Sequence, residues 1–91
     1  MTPPLTSGQL LIIADEFAAT HRVTVRSFAA LVQVAAVPGA RIEGIPVFAD
    51  VAAARSALEE AVRLTTPLSA RNDLFALVCG DVYTRFAATR G

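Results

Sequence analysis

Residues 66–89 read TPLSARNDLFALVCGDVYTRFAAT, a proline turn followed by a long, largely apolar stretch. Ser69 is a residue type suited to a helix N-cap. After it Leu74, Phe75, Ala76, Leu77, Val78, Cys79, Val82, Tyr83 and Phe86 are apolar almost all the way round a helical wheel. The pattern predicts a helix from Ser69 to about Thr89, and a helix apolar on every side belongs at the centre of a bundle. The fold expected is therefore all-α, a small bundle of about four to five helices around a buried C-terminal one.

Upstream, Thr66-Pro67-Leu68 breaks a preceding helix that Asp50 can cap and that runs to about Thr65. Its periodicity places Val51, Ala54, Leu58, Ala61 and Val62 inward and Arg55, Glu59, Glu60 and Arg63 outward, with Glu59 and Arg63 spaced for an ion pair. Residues 38–48, with Gly44 and Pro46, carry no helical period and read as a connecting loop with extended pieces. Before them, Thr24 can cap a helix burying Val25, Phe28, Ala29, Val32, Ala35 and Ala36, ended by Pro38-Gly39. The first helix, from Ser7 to about Thr20, opens on a capping-box pair, Thr6 and Gln9, with Leu5 and Leu10 placed as a hydrophobic staple. Leu10, Ala14, Phe17 and Ala18 share its inner face.

The chain has 91 residues, 54% of them hydrophobic, and a net charge of +0, which suits one domain over 1–91 and no second. Such a domain buries roughly two-thirds of its unfolded surface, so each packing element matters and self-association is expected to help. No apolar run approaches the roughly 18 residues that cross a bilayer. Met1-Thr2-Pro3-Pro4 lacks the basic start and apolar core of a signal peptide, so a cytoplasmic location is expected. All eight basic residues are Arg, scattered among eight acids without a stripe, which argues against direct binding of nucleic acid. Cys79 is alone, so an internal disulfide is excluded, and no Cys or His cluster accompanies it to hold a metal.

Leu5-Thr6-Ser7-Gly8-Gln9-Leu10-Leu11-Ile12-Ile13-Ala14 resembles the opening helix of the Doc branch of the Fic/Doc (death-on-curing) family. Phe28 to Pro38 resembles its second helix with the closing proline, and Gly44-Ile45-Pro46-Val47-Phe48-Ala49-Asp50-Val51-Ala52 the approach to its motif. The resemblance covers nearly the whole chain and implies a Fic/Doc-like helical fold around a central helix. In active members the motif reads His-Pro-Phe-x-Asp/Glu-Gly/Ala-Asn-x-Arg. The resemblance assigns its His to proton abstraction, its acid to a metal ion, and its Asn, Arg and helix-terminal amides to phosphate oxygens.

The corresponding run here is Thr66-Pro67-Leu68-Ser69-Ala70-Arg71-Asn72-Asp73-Leu74, in which Pro67 and Asn72 are kept and Leu68 retains apolar character. Thr66 is no base near neutral pH, Ala70 offers no metal ligand, and Leu74 replaces the phosphate Arg. Arg71 supplies a cation one position away, while Asp73 adds a negative charge. No catalytic residue is expected. Ser69, Arg71 and Asn72 remain candidates for anion binding at a helix N-terminus, beside the plainer reading of Ser69 as a cap.

His21, the sole histidine, is expected to interact with the C-terminal carbonyls of the first helix. Asp81 and Arg85 are spaced for an ion pair, Cys79 reads as a small core hydrophobe, and the Tyr83 hydroxyl should reach a polar edge. Gly80 either permits close helix packing or is merely tolerated.

Family members of this branch are typically toxins of bacterial toxin-antitoxin pairs. The resemblance thus implies a toxin-like component, here a pseudoenzyme acting by binding a cognate antitoxin or another copy of itself. The family usually continues with further helix where this sequence stops. The face left uncovered, Phe75, Val78, Val82, Tyr83 and Phe86, is accordingly expected at a dimer or partner interface. No cofactor is expected. ATP and Mg²⁺ enter only under an alternative, a residual transferase acting on a translation factor; an unrelated helical adaptor is a further alternative.

Overall fold

The computed structural model describes residues 2–90. Four helices form the fold: α1 (Ser7–His21), α2 (Phe28–Ala36), α3 (Val51–Thr65) and α4 (Asn72–Arg90). A 3-10 turn (Val37–Gly39) and a two-stranded hairpin, β1 (Arg41–Ile42) and β2 (Ile45–Pro46), join α2 to α3. Its turn is Glu43-Gly44, both with positive φ (51° and 81°), as a two-residue hairpin turn of matching twist requires. The fold is mostly helical, as expected, with one small hairpin where extended pieces were read.

Local signals set three of the helix starts. At α1 the Thr6 hydroxyl accepts from the Gln9 amide (3.0 Å) and the Gln9 side chain accepts from the Thr6 amide (2.8 Å), closing the capping box. Asp50 accepts from the Ala53 amide at the head of α3 (2.8 Å). Ser27, not Thr24, caps α2 by accepting from the Ala30 amide (3.1 Å). Leu10, Ala14 and Phe17 from α1 and Ala54, Leu58 and Val62 from α3 are buried as the periodicity requires, and Ala18 is only half-buried.

Two faces differ from expectation. The buried stripe of α2 is Ala30, Leu31, Val34 and Ala35, while Phe28 and Val32 are 53% and 42% exposed and Ala29 and Ala36 also face solvent. Every residue of this helix except Gln33 is apolar, so periodicity offers two competing faces and packing against the neighbouring helices chooses between them. Helix α4 packs chiefly along α3 and is not enclosed. Phe75, Ala76, Cys79, Tyr83 and Ala87 are buried, whereas Leu74 and Leu77 are 39% and 48% exposed. The folded surface, 5265 Å², is close to the ~5,100 Å² expected for a monomer of this mass.

Candidate functional site

The structure draws the α3–α4 turn, which carries the motif-like residues, against the α1–α2 connection. Val25 and Leu68 form an antiparallel bridge. The amides of Arg26 and Ser27 both donate to the Pro67 carbonyl (2.7 and 3.1 Å). Thr24 and Ser69, two of the four residues expected to cap helices, instead bond each other: the Ser69 amide donates to the Thr24 carbonyl (2.8 Å) and the Thr24 amide to Ser69 Oγ (3.0 Å). This exchange explains both displaced helix starts. Extended backbone at residues 24–26 defers α2 to Ser27, and the engagement of Ser69 defers α4 to Asn72.

Side chains close the clasp. Arg26 donates through Nε to the Thr66 carbonyl (3.1 Å) and through Nη2 to Thr66 Oγ1. Thr66 is the α3 C-cap in the left-handed region (φ 42°), where its carbonyl is released from the helix ladder and open to the guanidinium. Asn72 brackets Leu68, accepting from its amide through Oδ1 (3.0 Å) and donating through Nδ2 to its carbonyl (3.0 Å). Leu68 is thereby held with its side chain in the core, 1% exposed.

The residues expected to gather an anion therefore divide. Ser69, though exposed, and the half-buried Asn72 are engaged by the bonds just given. Arg71, at φ 60°, is exposed, and its side chain has no hydrogen bond or ion pair among the described residues. Ala70 is exposed, and Asp73 lies 3.7 Å from Arg63 across the α3–α4 corner. The clasp joins residues about forty positions apart, and no local pattern marks Arg26 as its tie.

A second feature lies between α1 and α4. An open groove of ≈ 270 Å³ is walled by Ile13 and Phe17 from α1 and Val78 and Val82 from α4. Glu16, Thr20 and His21 supply its polar lining. The His21 ring stands 4.2 Å from that of Phe17. Of the residues expected at an interface, Val78, Val82 and Phe86 are half-buried. Phe75 and Tyr83 are 0% exposed and belong to the core, because their side of α4 turns toward α1 and α3. Sequence periodicity could not locate the groove, since both of its walls are apolar faces of ordinary helices.

The α3–α4 contact has its own polar seam. Arg55 donates to Asp81 (2.8 Å), Thr84 (3.2 Å) and Glu59 (3.3 Å) across Gly80. A Cβ at Gly80 would lie 2.7 Å from Arg55 Nε and Glu59 Oε2, so Gly80 serves close packing of the two helices. The hydrogen bond that Arg55 donates to Asp81 is the main influence holding its guanidinium above its ordinary pKa. Two expected ion pairs are replaced: Asp81 pairs with Arg55 instead of Arg85, and Glu59 with Arg55 instead of Arg63. Arg55 and Glu59 consequently face α4 and not open solvent, with Glu59's side chain only 14% exposed.

Burial pushes the Cys79 thiol up to about 12, which marks it as inert core. Among the described residues no group of His, Cys, Asp and Glu could hold a metal ion, and no helix is long and apolar enough to cross a membrane. Compared with family models, curated proteins and solved structures, the chain matches none.

Proposed function

We propose that this chain is a non-catalytic binding protein, the toxin-like component of a bacterial toxin-antitoxin pair in a Fic/Doc-like form, that works by engaging an antitoxin or a second copy. One observation carries the rejection of catalysis. Ser69 and Asn72, which would gather phosphate, and Thr66, which stands where a base would be, are engaged in bonds between two turns of the fold. Opening those bonds to receive a nucleotide would leave Leu68 unpaired at the edge of the core. The α1–α4 groove supplies the binding surface, since an apolar groove walled by two helices suits a partner helix. A lone buried thiol suits a reducing compartment such as the cytoplasm.

Two measurements test the reading. Incubation of the chain with a bacterial lysate, Mg²⁺ and radiolabelled ATP should label no protein; a labelled product lost on Thr66→Ala would overturn it. Val82→Glu should abolish self-association, or complex formation with the product of an adjoining gene, while leaving helical content unchanged. Assembly that survives this change would remove the groove from the account.

A further inference from the structure

Residues 2–5, Thr-Pro-Pro-Leu, form a strap that runs over the 3-10 turn and α4 before α1 begins. The Leu5 amide donates to the Ala35 carbonyl (3.2 Å), and the Tyr83 hydroxyl donates to the Pro3 carbonyl (2.9 Å). Pro4 lies against Gly39 so closely that a Cβ there would stand 2.6 Å from Pro4 Cβ and 2.8 Å from its Cδ and N. Both ends are sunk, with Thr2 4% and Leu5 5% exposed. A carbonyl acceptor, a bare glycine surface and an aromatic hydroxyl together form the kind of seat that takes extended, proline-rich peptides. Two successive prolines fix φ near −65° and bring no amide hydrogen to be satisfied.

Two features make the strap replaceable. The Thr6–Gln9 capping box begins α1 without using any strap residue, so the strap can lift at Thr6 while the helix stays closed. The strap also fits its seat imperfectly. Thr2 Oγ1 is buried with no hydrogen-bond partner among the described residues, a penalty that an apolar side chain of the same shape would not carry.

We propose that the seat formed by Ala35, Gly39 and Tyr83 is a binding site for an extended apolar-Pro-Pro-Leu segment of a partner protein, occupied in cis by the chain's own strap. The strap competes at an effective concentration of the order of millimolar, so a partner succeeds by filling the Thr2 position better. This site is separate from the α1–α4 groove and stands or falls independently of it.

The test uses the full chain carrying Pro3→Gly and Pro4→Gly, which loosens the strap and leaves the seat intact. Acetylated peptides Thr-Pro-Pro-Leu and Val-Pro-Pro-Leu are titrated while the Ala35 and Gly39 amide resonances are followed by NMR. Both should bind the double variant, the valine peptide about fivefold or more tighter. The unaltered chain should bind each at least about tenfold more weakly because its strap competes. Adding Tyr83→Phe should weaken both about fivefold. Absence of binding, equal affinity in the altered and unaltered chains, or indifference to Tyr83→Phe overturns the proposal. In the otherwise unchanged chain, Thr2→Val should slow hydrogen exchange of the Leu5 amide about fivefold or more, and an unchanged rate counts against it.

Discussion

Replacing Asn72 by Ala removes both bonds that bracket Leu68, each 3.0 Å long, and leaves a partly buried amide and carbonyl without side-chain partners. At about 1 kcal/mol net for each bond, the loss is about 2 kcal/mol. For a domain of this length that lowers the melting temperature by roughly 8–16 °C. Thermal unfolding followed by circular dichroism reads it directly, and urea titration should show a lower midpoint at an unchanged slope. Asn72→Asp keeps the oxygen that accepts from the Leu68 amide but sets a second oxygen against the Leu68 carbonyl, so it should fall between the two. If both variants melt with the unaltered chain, Asn72 does not hold the turn and the structural reading of the clasp fails.

Other substitutions probe the same frame. Arg26→Ala should destabilise by about 1–2 kcal/mol in urea, and Arg26→Lys should recover little of it, because an ammonium cannot span the Thr66 carbonyl and hydroxyl as the planar fork does. Gly39→Ala should cost about 1–3 kcal/mol by forcing Pro4 off its seat, with faster exchange of the Leu5 amide as its local sign. Cys79 gives a pH prediction: burial holds its thiol protonated up to about 12, against about 8.5 when unfolded. The folded state then binds the extra proton across that interval, so this contribution to stability is fully present below about pH 8.5 and lost as pH rises toward 12. Cys79→Ala should flatten that decline in urea midpoints, and an unaltered slope would contradict it.

The parts of the fold legible from sequence are those decided by neighbours in the chain. The Thr6–Gln9 box, the Asp50 cap and the buried stripes of α1 and α3 all follow from residues within a few positions of one another. What escaped was decided at long range. Thr24 and Ser69 have the chemistry of caps, and only the pairing of the two turns diverts them to each other. In α2, nearly every side chain is apolar, so the sequence offers a helix without a unique inner face. On α4, the nearly all-round apolar wheel concealed an open side, because Leu74, Leu77 and the half-buried Val78 look no different in sequence from Phe75 and Tyr83. The proline turn was legible as a special place. Its tie, Arg26, was not, since it lies forty residues from Thr66.

The central claim is that the motif-like turn holds the fold together and does not hold a nucleotide. Calorimetric titration of the purified chain with ATP and Mg²⁺ tests this most directly. The account predicts no heat of binding, and none in Arg71→Ala. Tight, Mg²⁺-dependent binding that disappears on Arg71→Ala would contradict it and return the turn to nucleotide chemistry.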